Sequence, residues 1–279
     1  MLRRNLAELR SILADAPAPV ADPQLRVAVG LSPFAIVAVR VRAYTAPMTD
    51  QPAAGAPPVP PADPNPDCPR CLKPPALCVC EGIARTDNKV SLLILQHPQE
   101  QDRELGTARL TVLHFRHALI KIGLSWPSLS KILGRTTDPQ RWAILYLGSV
   151  KAAALLPDRD VVVVNRNGNA VDHQDQVLRE IEGIILLDGT WSQAKALWWR
   201  NAWMLKCKRV VLGPKLPSRY GKLRREPRGD GLSTIEAAAM LMARLERKPE
   251  IETALHACFE RLLARYRAAH PNAGARRRR

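Results

Sequence analysis

The chain has 279 residues, with 42 Lys and Arg against 26 Asp and Glu, a formal charge of +16 and a pI near 10.2. A cationic surplus on this scale favours polyanionic partners, nucleic acid before an anionic membrane surface, although a genome rich in Arg, Ala and Pro would also raise the pI. No stretch approaches the roughly 20 apolar residues of a membrane-spanning helix, which excludes a helical integral membrane protein. The nearest, LRVAVGLSPFAIVAVRV, contains Arg26, Pro33 and Arg40 and begins late for a signal peptide, so the chain reads as cytoplasmic, in a reducing compartment.

Residues 1–66 are Pro- and Ala-rich, as in PAPVADP and QPAAGAPPVPPADPNP, and keep no period of two or 3.6. Such a composition cannot bury enough apolar surface to offset chain entropy. A disordered extension is expected there, with one short helix over LRRNLAELRSILAD and Met48 as an alternative start.

Next comes CPRCLKPPALCVC, which spaces Cys68, Cys71, Cys78 and Cys80 as C-x2-C-x6-C-x-C. Four thiolates this close in sequence can converge on one tetrahedral Zn²⁺, and Pro74-Pro75 forces the reversal that returns the second pair to the first. Disulfides do not suit a reducing compartment, and an iron–sulfur site is the lesser alternative. A closed four-thiolate site has no open coordination position, so residues 67–85 read as a structural zinc module. Cys207 and Cys258 read as small buried apolar residues.

From residue 86 to about 270 the pattern alternates. VSLLILQ (90–96) is a buried strand; GTARLTVLHFRHALIKIG (106–123) has apolar residues at helical spacing; WAILYL (142–147) and VVVV (161–164) are strands, the latter followed by an Asn167-Gly168 turn. GIILLD (183–188) is the clearest strand, a helix runs through SQAKALWWRNAWML, and RVVL (209–212) is a further strand. STIEAAAMLMARLER and ETALHACFERLLARYRAA are amphipathic helices, and 271–279 is a basic tail. Strands alternating with helices, and strands without polar alternation, predict an α/β fold: a mostly parallel sheet with helices on both faces.

In such sheets ligands bind outside the carboxyl ends of the strands, and three strand exits carry polar clusters. QHPQE holds His97 and Glu100; DGTW places Asp188 before Gly189, with Thr190 and Gln193 as a capping box; GPKLPSRYGKLRREPRGDGLSTIEA holds Lys215, Arg219, Lys222, Arg224, Arg225 and Arg228 and ends in a second box, Ser233 with Glu236. A turn at 188–191 calls for Gly189 but not for Trp191. Each feature has a plainer reading: a helix cap, a turn histidine, a solvated basic face. A long basic loop at a strand exit is more often functional than connecting. There is no G-x-x-x-x-G-K-[ST] phosphate loop, and GDGLS follows a loop where a dinucleotide fingerprint follows a strand.

In order, the C-x-R-C cluster, LQHPQE, LDGTW, SRY and GLSTIEA resemble the DTW-domain family, in particular bacterial tRNA-uridine aminocarboxypropyltransferases, over about residues 67–265. Asp230 stands where that pattern has Glu, and the amino-terminal extension has no counterpart in it. The resemblance implies a SPOUT-like, knotted fold, although knots are rare in general. It also implies transfer of the 3-amino-3-carboxypropyl group of S-adenosylmethionine to N3 of a tRNA uridine, with methylthioadenosine as by-product.

That reaction needs a base for the uracil imide, a clamp that presents the donor's γ-methylene, and a stacking surface. The resemblance implies Asp188 as the base, with Thr190 and Trp191 beside it at the catalytic turn. His97, Glu100, Gly189, Arg219, Tyr220, Arg224, Ser233 and Thr234 would bind the donor: Arg219 or Arg224 on its carboxylate, and Tyr220 as the alternative to Trp191 for stacking. Lys215, Lys222, Arg225 and Arg228, and the tail arginines, would contact tRNA phosphates. The zinc module would brace the edge of the domain or add an RNA contact. Two other functions compete: a SPOUT-type RNA methyltransferase, which would release S-adenosylhomocysteine, and a non-catalytic zinc-containing RNA-binding protein, which would not bind the cofactor.

Overall fold

The computed structural model describes residues 66–145, 160–213, 217–221, 223 and 231–271. The expectations for the 1–65 extension, for Tyr146-Leu147, for Lys215, Lys222, Arg224, Arg225 and Arg228, and for the tail beyond 271 lie outside them.

Among the described residues six strands form one sheet: β1 (Ser91–Gln96), β2 (Ala118–Ile122), β3 (Trp142–Leu145), β4 (Val161–Val164), β5 (Gly183–Asp188) and β6 (Lys208–Leu212), in the order β2-β1-β5-β3-β6-β4. All neighbours are parallel except β4, which runs antiparallel to β6 at one edge. The helices are α1 (Ala108–Leu113), α2 (Leu129–Leu133), α3 (Gln174–Arg179), α4 (Trp191–Arg200), α5 (Thr234–Glu246) and α6 (Pro249–Ala269).

Both faces of the sheet are covered, which is why the central strands show no polar alternation. Leu92, Ile94, Ile184 and Leu186 join one core with α1, α5, α6 and the cysteine segment. Leu93, Leu95, Ile144 and Ile185 face the other, closed by α2 and by Met204 and Cys207. Trp142 lies opposite Gly183 in the register, and a Cβ on Gly183 would come within 2.5 Å of the Trp142 ring. That glycine makes room for a fully buried indole.

Two segments depart from the periodicity reading. The stretch 106–123 is not one helix: α1 ends at Leu113 and ALIKI becomes β2, paired along β1. Short apolar runs fit either period, and a free sheet edge beside β1 decides the matter. The helix after β5 stops at Arg200 and continues as a 3-10 turn over Ala202–Lys206. The buried Asn201 side chain causes the break. Its amide donates to the carbonyls of Leu197 (2.7 Å) and Leu124 (3.0 Å), and its oxygen accepts from Trp126 N–H (2.8 Å). No helix among the described residues is long and apolar enough to cross a membrane.

From β1 the chain crosses to β2 on one side; from the adjacent β5 it crosses past β3 to β6 on the other. Neighbouring parallel strands whose connections diverge open a crevice at their carboxyl ends. By that rule the crevice of this fold is expected between Gln96 and Asp188, which are register partners.

Candidate active site at the carboxyl ends of two strands

β5 is apolar until its last residue, so Asp188 emerges where the sheet ends. One carboxylate oxygen accepts a hydrogen bond from Gln96 Nε2 at 2.8 Å; the other accepts a short one from the Thr234 hydroxyl at the first turn of α5. The Asp188 carbonyl accepts from the His97 N–H at 2.9 Å. No described Lys or Arg pairs with the Asp188 carboxylate. Its two partners among the described residues are neutral donors from β1 and α5, which fix its direction.

α4 starts at once because Thr190 and Gln193 form a capping box: Gln193 Oε1 accepts from Thr190 N–H at 2.6 Å and Thr190 Oγ1 from Gln193 N–H at 3.4 Å. Gly189 is required for close approach and not for its turn geometry, since its φ lies outside the left-handed region. A Cβ there would stand 2.8 Å from Gln193 Cβ and 3.5 Å from His97 Cβ. Gln193 also donates to Gln99 Oε1 at 3.0 Å, tying α4 to the 3-10 turn over Pro98–Glu100 that His97 caps. Trp191, half-buried at the head of α4, has the Lys195 ammonium 5.4 Å from its ring centre.

The SRY and STIE segments are the two halves of one network centred on Glu236, a buried carboxylate. Its Oε2 accepts from Ser218 Oγ at 2.6 Å, Ser233 Oγ at 2.6 Å and Ser233 N–H at 2.9 Å; its Oε1 accepts from Arg219 N–H at 2.7 Å. Ser233 caps α5 in return, and Thr107 Oγ1 accepts from the next amide, Ile235 N–H, at 3.2 Å. The Arg219 guanidinium meets Glu236 at 3.8 Å and Glu260 at 3.2 Å. Tyr220 is 3% exposed. Its hydroxyl donates to the Leu105 carbonyl at 2.7 Å and its ring meets Phe259 edge-on, with centroids 4.9 Å apart. Tyr220 therefore anchors the loop in the core and offers no open face for stacking, whereas Trp191 is half-buried at the head of α4. Glu100 is buried, with Arg103 at 3.9 Å.

Thr107 carried no signal in the sequence beyond its polarity; Gln96 and Glu236 lie within the LQHPQE and GLSTIEA motifs, but nothing there assigned Gln96 a partner or Glu236 more than a helix cap. Their roles depend on strand order and on α5 returning to β5, which no local pattern encodes.

The four cysteine sulfurs all lie within 4.8 Å of one another, with Cys68 and Cys80 at 3.9 Å. A tetrahedral ion bound at about 2.3 Å per sulfur separates its ligands by roughly 3.8 Å, so the four sulfurs suit a single metal ion. Backbone N–H groups of Cys71 and Arg70 draw the Cys68 thiol down to about 6, whereas burial pushes Cys71 and Cys80 up. The latter pair need a cation to ionise together. Leu72 adopts φ 54° to close the knuckle, where Lys73 O accepts from Cys68 N–H at 2.9 Å. The module is joined to the crevice loop by Lys73, whose buried ammonium donates to the Glu104 carbonyl at 2.5 Å and the Arg103 carbonyl at 3.4 Å; burial lowers its pKa.

A family model described as the DTW domain matches residues 65–267. Among curated proteins, tRNA-uridine aminocarboxypropyltransferase 2 of Mus musculus is 29% identical over 203 residues, 71% of this chain and 62% of the mouse protein. The Macaca fascicularis protein of that name is 29% identical over 200 residues, with the same shares. The Drosophila melanogaster one is 31% identical over 192 residues, 67% of this chain and 70% of its own. The chain thus spans 62% of the length of the two mammalian relatives. No solved structure matches.

Proposed function

The chain belongs to the DTW domain family, and from that membership we propose that it is a tRNA-modifying transferase. It moves the 3-amino-3-carboxypropyl group of S-adenosylmethionine to N3 of a tRNA uridine. The N3–Cγ bond forms as the Cγ–sulfur bond breaks; the sulfonium keeps the electron pair and leaves as methylthioadenosine, and the imide proton passes to a base. The observation that carries the reading is the meeting of Gln96, Asp188 and Thr234 at a topological switch point. Three of the family-like motifs supply them from distant parts of the chain.

In this reading Asp188 takes the N3 proton. Gln96 and Thr234 hold its carboxylate toward the crevice, and among the described residues no ion pair competes for it. Trp191 stacks against a base, the donor's or the acceptor's. His97, Gly189 and the α5 amino terminus at Ser233-Thr234 line the donor side, where the helix end favours the donor's carboxylate. Glu100 and Arg219 act there by shaping the loop, since Arg219 is engaged by two carboxylates. Thr190 starts α4 and so sets Trp191. Arg224 remains a candidate for the donor carboxylate, and Lys215, Lys222, Arg225 and Arg228 for tRNA phosphates. Residues 67–85 form a structural zinc module, the remainder to 270 a SPOUT-like catalytic domain, and the setting is cytoplasmic.

The test is direct. Protein, S-adenosylmethionine and unmodified tRNA are incubated, and nucleosides and small products are identified by mass spectrometry. The expected result is a uridine heavier by one aminocarboxypropyl group together with methylthioadenosine. S-adenosylhomocysteine with a methylated base would assign a methyltransferase instead.

A further inference from the structure

Helix α4 leaves the crevice with a face that the core does not use. Ala194 and Leu197 are buried, while Ser192, Lys195, Trp199 and Arg200 are exposed. Trp199 is 78% exposed, an unusual setting for an indole, because large apolar rings in water mark contact surfaces more often than chance. At 3.6 residues per turn, positions 191, 195 and 199 share one face and span about 12 Å. The Lys195 ammonium stands 5.4 Å from the Trp191 ring centre, so ring, cation and ring alternate along a stripe that begins beside Asp188. No Asp or Glu occurs between Asp188 and Glu226, whereas Lys and Arg recur throughout that stretch.

We propose that the Trp191–Lys195–Trp199 stripe is a docking track for single-stranded RNA. An unpaired base next to the acceptor stacks on Trp199, in line with Trp191 at the reacting end, and Lys195 and Arg200 meet the backbone phosphates. The proposal rests on the reading that RNA is the acceptor. Aromatic rings interleaved with cations suit a flexible strand because every base has a face to stack and every linkage a charge. A duplex hides its base faces, so the track discriminates for a loop. A second copy of this chain is a poorer occupant, since two such basic surfaces repel.

The test uses the full chain, an unmodified tRNA transcript and an RNA duplex of similar length. Trp199→Ala is expected to weaken tRNA binding about tenfold, with the salt dependence unchanged, as for the loss of one stacked base. Trp199→Phe retains most of the affinity, and duplex binding is unaffected by either change. Lys195→Gln lowers the slope of log affinity against log salt by about one. Calorimetric binding of S-adenosylmethionine is the same in all three variants. Wild-type tRNA affinity in Trp199→Ala overturns the proposal, and so does equal weakening of the duplex. A concentration-dependent dimer that disappears in Trp199→Ala also overturns it, because the face is then a protein interface. If the wild type transfers the group while Trp199→Ala binds normally, the track fails and the transferase reading stands. If tRNA binding depends on Trp199 but no transfer occurs, the reverse holds.

Discussion

The Asp188 centre collects its partners from 92 residues upstream in Gln96 and 46 downstream in Thr234. The cysteine centre draws all four sulfurs from a segment in which the first and last are only 12 apart. Distance in sequence changes what holds each one. Gln96 and Asp188 end adjacent strands of a sheet buried on both faces, so their geometry is inherited from the core and survives loss of either polar group. The cysteine segment has little regular structure, only 3-10 turns at Pro75–Leu77 and Cys80–Gly82. In the proposed reading its own ligands organise it, through a bound metal. One centre is rigid because of its scaffold, and the other makes its scaffold rigid.

The largest effect expected from this contrast is on the cysteine side. Chelation, or Cys78→Ser, should release the metal and lower the melting temperature together, because binding free energy at such a site is folding free energy, on the order of 10 kcal/mol in isolated fingers. Cys71, Leu77 and Cys80 belong to the main core, so the loss reaches the domain, and Lys73 carries it to the crevice loop. Elemental analysis beside a thermal melt checks this. Metal-free protein with an unchanged melt would break the contrast.

Asp188→Asn should do the opposite: leave the melt nearly unchanged and reduce transfer by about 10²- to 10⁴-fold, roughly 3 to 5 kcal/mol of barrier. The Asn oxygen can still accept from Gln96 while its amide donates to the Thr234 hydroxyl, which accepts as well as donates, so a purely structural role predicts near-normal turnover in single-turnover assays. Weakened S-adenosylmethionine binding in calorimetry would shift the role of Asp188 from base to donor contact.

His114 supplies a third test, on the side of the domain where Arg261 of α6 lies. Neither of its ring nitrogens meets a hydrogen-bond partner among the described residues, and burial, with Arg261 second, lowers its pKa to about 4. The folded state binds this proton less readily than the unfolded chain. The stabilising contribution is therefore complete above about 6.5 and is lost as pH falls toward 4, by about 3 kcal/mol. His114→Leu should remove that acid-side slope, measured as melting temperature against pH; an identical slope in the variant would contradict it.

Glu236→Gln should be the smallest change, about 2 kcal/mol, because an amide turns one acceptor among the Ser218, Arg219 and Ser233 donors into a clashing donor. Freed Ser218–Tyr220 backbone should show in faster hydrogen exchange.

What could be read from the sequence follows the same division. The cysteine spacing, both capping boxes and the position of Asp188 at the end of an apolar run are local facts, and local facts are written in neighbouring residues. The Gln96–Asp188 pair needs β1 beside β5, and the Thr234 contact needs α5 to return to β5. Tyr220 sits in a basic, loop-like segment and gave no hint that its ring packs on Phe259 while its hydroxyl finds Leu105 O. The 106–123 stretch misled because a six-residue helix and a five-residue strand follow each other closely enough to mimic one longer period.

The central claim is that the Asp188 crevice transfers the aminocarboxypropyl group. It is tested most directly with S-adenosylmethionine carrying one isotope in the carboxyl carbon and another in the methyl group, in single-turnover reactions with unmodified tRNA. The account predicts carboxyl label in the tRNA, methyl label in methylthioadenosine, and incorporation at least about 100-fold slower in Asp188→Asn. Methyl label in the tRNA, or Asp188→Asn transferring at the wild-type rate, would contradict it.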